Sequence, residues 1–215
     1  KDGKPWQTSV AGKLNIPIQL SRDAEFSEAY SFKVGGLKAL AKHAGVTFSK
    51  GKESANFEVD LTKMALAPGL HEFYFHGEVK GKYRREQGAD LKDLTISTYS
   101  PPIFVDVFPA PFEIEVDGEI SALKKGGRVS IPIKLTRRFN FGGQIEVASA
   151  FGNEAKGFKI TSSMLRNDRF DLTIEAGDKS EAGSVSLELT AKGQLNGKPV
   201  VATKRVNLDV KASEE

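Results

Sequence analysis

One stretch of this chain occurs twice. Gly12-Lys-Leu-Asn-Ile-Pro-Ile-Gln-Leu-Ser-Arg22 returns as Gly127-Arg-Val-Ser-Ile-Pro-Ile-Lys-Leu-Thr-Arg137, an offset of 115 positions. Gly, Ile, Pro, Ile, Leu and Arg recur unchanged, and most other positions exchange like for like. Solenoid repeats have much shorter periods, so an offset of this length is a duplicated domain. The 215 residues then divide into modules of roughly 100 residues, a common domain size, at 1–108 and 109–215.

Both modules read as strands. Leu14, Ile16, Ile18 and Leu20 alternate with Asn15, Pro17, Gln19 and Ser21, the period of a half-buried strand. The second module predicts strands near 112–117, 127–136, 144–150, 157–162, 169–175, 184–193 and 199–211. Gly126-Gly127, Gly142-Gly143, Gly177-Asp178 and Asn196-Gly197 separate them, and the last pair is a strong hairpin signal. Seven short strands at this spacing indicate an antiparallel β-sandwich. The first module follows the same order near 13–21, 28–34, 45–50, 56–62, 70–80 and 95–107.

The modules differ in two places. The first carries a charged insertion, Arg84–Asp93, between its last two strands; the plain reading is a longer solvated hairpin loop. It also lacks an obvious counterpart of Phe112-Glu-Ile-Glu-Val116 ahead of Gly12. That first strand is expected to be absent or replaced by Trp6–Val10, through a cut in the chain or because a partner supplies it. An unpaired edge invites strand addition. Pro17 and Pro132 cannot donate to a ladder, which points to a bulge or to a neighbour that pairs only partway. The joint, Phe108-Pro-Ala-Pro-Phe112, has two prolines in five residues and is expected to be stiff. The chain begins without Met, as a processed or excised part of something longer would.

The order of these segments resembles the tandem immunoglobulin-like modules of large exported bacterial proteins. It rests on Pro111-Phe-Glu-Ile-Glu-Val, the Gly126–Phe139 segment, Phe141-Gly-Gly-Gln-Ile-Glu-Val, the Ala176–Gly193 segment and the closing Val206-Asn-Leu-Asp-Val210. The family's Gly-Leu-Pro-x-Gly-Val-like loop is degenerate here: Gly36-Leu37 with Gly45-Val46, and only Gly157-Phe158. The resemblance covers nearly the whole chain. It implies an all-β chain of two tandem immunoglobulin-like antiparallel β-sandwiches in a periplasmic, cell-surface or secreted protein. The modules would be spacers, adhesive units or accessory domains beside other domains of the parent, and no catalytic residue carries over. Such sandwiches host many jobs, so the motifs speak to fold rather than function.

Composition narrows the functional classes. Without Cys there is no disulfide, zinc thiolate or thiol nucleophile. A net charge of +3 with Lys and Arg spread among Asp and Glu makes no basic stripe for nucleic acid. No apolar run reaches membrane-spanning length. His43, His71 and His76 all lie in the first module, with no Gly-x-Ser-x-Gly elbow beside them. His71 and His76 are five apart on one strand, hence on opposite faces, which rules out a two-His metal site. Glu113, Glu115 and Asp117 spread along one strand face rather than gather as calcium ligands, and Asp178–Glu181 and Asp90–Asp93 are ordinary loop acids. The chain is therefore expected to be non-enzymatic and to need no cofactor or metal.

Comparing the modules isolates one candidate face. Glu72, Tyr74, His76 and Phe104 of the first should face outward where the second has Ser186, Glu188, Thr190 and Asn207. Exposed aromatics on a flat sheet suit sugar-ring stacking or a protein contact. The plainer expectation is that the insertion loop, or Trp6 and the N-terminal segment, folds over them. The expected partners are thus neighbouring domains of an exported protein, with a glycan or another protein chain as alternatives.

Overall fold

The computed structural model describes residues 4–22, 28–64, 66–84, 86, 88, 90–152, 156–162 and 164–212. It divides into two units, Lys1–Phe108 and Pro109–Glu215. Both are β-sandwiches; among the described residues the one helical element is a short 3-10 turn, Lys38–Leu40.

The first unit contains β1 (Trp6–Ser9), β2 (Lys13–Gln19), β3 (Tyr30–Gly35), β4 (Val46–Phe48), β5 (Ser54–Asp60), β6 (Gly69–Tyr83), β7 (Lys92–Tyr99) and β8 (Ile103–Phe108). One sheet runs β1-β8-β6-β3-β4 with β7 also on β6, and it faces the β2-β5 pair. The period-two apolar positions meet between the sheets, where Phe32, Phe48, Phe57, Phe73 and Phe75 form an aromatic core. Phe57 is its hub, with ring centroids 4.9 Å from Phe75, 5.4 Å from Phe73 and 4.7 Å from His43. β5 ends where Asp60 accepts the Thr62 hydroxyl at 2.6 Å and the Thr62 N–H at 3.0 Å. Those bonds, the hydroxyl's first, hold the carboxyl below its usual pKa.

The second unit contains β9 (Phe112–Val116), β10 (Leu123–Lys124), β11 (Arg128–Arg137), β12 (Ile145–Phe151), β13 (Phe158–Ser162), β14 (Arg169–Ala176), β15 (Gly183–Leu195) and β16 (Lys198–Lys211). Its sheets are β13-β14-β11-β9 and β10-β16-β15-β12. Apart from the short parallel β10, this is the four-plus-three strand order of an immunoglobulin constant domain. β15 and β16 are joined through Asn196-Gly197, both at positive φ (50° and 75°), the turn the sequence predicts. Arg137, one of the repeated residues, closes the end of β11. Its Nε donates to Asp168 at 2.8 Å and its Nη1 to the Gly143 carbonyl at 2.6 Å. The Asp168 hydrogen bond raises the guanidinium's pKa.

Four expectations are refined. The strand drawn at 95–107 is two strands, β7 and β8, because Pro101-Pro102 interrupts it. Ser100 makes the corner: its N–H donates to the Phe75 carbonyl at 2.8 Å and its hydroxyl accepts the Phe75 N–H at 2.9 Å. Trp6–Ser9 does form a strand, but it lies parallel to β8 as β10 lies parallel to β16. It is therefore the counterpart of Leu123–Lys124 and not of Phe112–Val116. β4 ladders with β3, whereas its counterpart β13 ladders with β14. Finally, Pro132 sits where its neighbour stops. Its carbonyl accepts the Asp117 N–H at 2.8 Å at the end of β9, so its missing N–H leaves no partner unsatisfied.

Candidate functional site

The outward face of β6 is set by alternation. Phe73 and Phe75 are buried, so Glu72, Tyr74 and His76 point away from the core; Glu72 is exposed, and Tyr74 and His76 are half-buried. Residues directly opposite on neighbouring strands share a face. Register places Phe104 opposite Glu72, Gly35 opposite Tyr74, and both Lys33 and Tyr99 opposite His76. The Tyr74 ring is seated on main chain, since a Cβ on Gly35 would come within 2.7 Å of it.

The structure brings three rings together. Tyr74 and His76 are 6.0 Å apart, and Tyr99 lies 6.1 Å from each, its ring nearly parallel to that of His76 at 20°. Tyr99 is 66% exposed and Phe104 38%. Glu72 and Phe104 form a neighbouring pair about 7 Å beyond Tyr74 along β6, at ~3.3 Å per residue. Tyr99 escaped sequence reasoning for a definite reason. On an unbroken 95–107 strand it would share the inward parity of Ile103 and Val105; the Ser100-Pro101-Pro102 corner resets that parity. The two prolines were the available signal.

Among the described residues neither expected cover lies on this face. Trp6 is in register with Val105 and packs against the core. The insertion leaves the β6–β7 ladder at Tyr83↔Lys92, seven residue pairs beyond His76↔Tyr99; Arg85, Gln87 and Ala89 within it lie outside the described residues.

The other candidate groups are occupied in holding strands. His43 bridges the Glu58 carbonyl, 2.8 Å from Nε2, and the Gly45 N–H, 3.1 Å from Nδ1. His71 Nε2 meets the Ala67 carbonyl at 2.8 Å. Glu113, Glu115 and Asp117 pair separately with Arg138 (2.8 Å), Lys134 (3.5 Å) and Arg169 (2.6 Å). Among the described residues no three His, Asp or Glu gather into a metal site, and no helix is long and apolar enough to cross a membrane.

No protein-family model matches the chain, and no curated protein matches it. Solved structures similar to it include a conjugative transposon lipoprotein from Bacteroides eggerthii, 19% identical over 46% of this chain and 96% of that one, at a TM-score of 0.35. An endo-fucoidan hydrolase of glycoside hydrolase family 107 is 11% identical over 99% of this chain and 28% of that one, at 0.33. Domains 4 and 5 of the S-layer protein SbsC are 16% identical over 79% and 91%, at 0.30. Scores this low fix neither a shared fold nor a shared role.

Proposed function

We propose that this chain is a non-enzymatic structural or interaction segment, a spacer or adhesive unit, of an exported bacterial protein, acting outside the cytoplasm beside neighbouring domains of a larger polypeptide. What supports this is the use made of the polar side chains. His43, His71, Glu113, Glu115, Asp117 and Arg137 each bind a nearby strand or loop, so they stiffen sheets; among the described residues only Asp117 of the six lines a substrate-sized cavity, of about 550 Å³. The Pro-Ala-Pro joint fits a spacer. The absence of Cys allows a direct test: Lys4→Cys and Lys211→Cys, spin-labelled, should give one narrow distance distribution. A distribution as broad as its mean would overturn the spacer reading.

A second reading, carbohydrate binding, is favoured by the Tyr74–His76–Tyr99 cluster, which offers ring area at low entropic cost. Under it, Tyr99→Ala weakens glycan affinity by about tenfold, equivalent to ~1.4 kcal/mol. Glycan-array binding that survives Tyr74→Ala, Tyr99→Ala and Phe104→Ala would remove this reading.

A further inference from the structure

The duplication lets one unit serve as the reference for the other. In the second unit β9 covers the outer edge of β11, with Val116, Ile114 and Phe112 opposite Ile133, Leu135 and Arg137. Phe112 is fully buried, and Ile133 and Leu135 are 1% and 2% exposed. The repeat maps these three β11 residues onto Ile18, Leu20 and Arg22. There, Ile18 and Leu20 are only half-buried, and among the described residues β2 ladders with β5 alone. The Leu20 N–H goes to Glu53 on the β5 side at 2.8 Å. Strand alternation therefore turns the main-chain groups of Gln19 and Ser21, and the Pro17 carbonyl, to the opposite edge.

A groove runs beside that edge. One cavity of about 180 Å³ lies between Ile18, Leu20, Phe48, Phe75 and Thr98. A second, of about 230 Å³, continues past Leu20 to Tyr30, Val79 and Ile96. In the second unit Phe112 fills the corresponding place. Its ring lies 5.3 Å from Phe141 and would come within 2.9 Å of a Cβ on Gly193. Gly69 and Gly183 occupy matching ladder positions, opposite Val107 and Val210, and counting along from them aligns Gly193 with Val79. The groove thus has the position and apolar character that Phe112 and Ile114 require.

We propose that the Pro17–Ser21 edge is an acceptor for an extended strand of another polypeptide, running antiparallel to β2 with the pattern aromatic-x-aliphatic-x-aliphatic. The aromatic sits opposite Arg22 against Val79 and Ile96, and the two aliphatics sit opposite Leu20 and Ile18. Main-chain hydrogen bonds supply affinity and the groove supplies selectivity. Gln19 stands where β11 has Lys134, which pairs with Glu115, so the incoming strand needs no acid at that outward position. This holds whether or not the spacer reading does.

The test adds a capped peptide with the sequence of Pro111–Asp117 to the full chain and follows amide hydrogen exchange by NMR. The Gln19 and Ser21 amides should become protected, saturably, at roughly millimolar affinity or tighter. In β9 the Asp117 N–H and the Pro111 carbonyl face β11, so the odd-numbered residues carry the ladder. N-methylation at the Glu113 or Glu115 position of the peptide should abolish protection, and at the Ile114 position should spare it. Four results would overturn the proposal: no protection at several millimolar peptide; protection already present in the free chain; protection only when the segment is fused ahead of Lys1; or protection from self-association of the chain without peptide.

Discussion

Replacing Phe57 by alanine is expected to destabilise the first unit by about 3–5 kcal/mol. The ring is fully buried and touches three other rings, so its removal leaves a cavity bounded by side chains on β5 and β6 that cannot all move in. Domains of this size are stable by about 5–15 kcal/mol in total, so the variant is left marginal. Trp6 reports the change cleanly. It is the single tryptophan, it packs against this core, and all four tyrosines (Tyr30, Tyr74, Tyr83 and Tyr99) also lie in the first unit. Urea unfolding followed by Trp6 fluorescence should show a large fall in midpoint. A loss below about 1 kcal/mol, the ordinary effect of a point substitution, would mean that the aromatic cluster does not organise the core.

Gly45→Ala is expected to cost at least about 3 kcal/mol. Gly45 has a φ of +81°, and a Cβ there would overlap the Phe32 carbonyl oxygen, which is main chain and cannot swing aside. Its N–H is also held by His43, so the substitution disturbs the entry to β4, the β3–β4 ladder and the His43 bridge together. Gly51 supplies the control. Its φ is +68°, but a Cβ there meets nothing within 4 Å, so Gly51→Ala should cost only about 1–2 kcal/mol of backbone strain. Equal losses for the two variants, by the same fluorescence assay, would show that the close approach to Phe32 is not what requires glycine at position 45.

Alternation carried most of the fold in the sequence because burial on one face of a sheet writes itself into every second residue. Leu187 and Leu189, or Phe73 and Phe75, could hardly be read otherwise, and Asn196-Gly197 named its own turn. Periodicity does not say which strand lies beside which. Nothing in Val46-Thr-Phe48 announces pairing with β3, while Phe158–Ser162, its counterpart, pairs with β14. The candidate face suffered from the same gap. Tyr74 and His76 were legible from their own strand, but Tyr99 joins them only through the corner at Ser100, a change of parity that a pattern of apolar residues does not record. The sequence raised the expectation of a missing first strand; that β2 ladders with β5 alone among the described residues, beside Leu20 and Val79, needed the second unit as a template.

A chain pulled by its two ends loads the first unit through β1 and β8. These strands run parallel from Trp6↔Val105 to Ser9↔Phe108, so tension slides one along the other in shear. Their cross-strand bonds then bear the load simultaneously, whereas a peeled hairpin surrenders them one at a time. The second unit has the same seam between β10 and β16, but over two residue pairs only. Forced unfolding follows the barrier to the first rupture, so the four residue pairs of the β1–β8 seam set the load that the first unit bears.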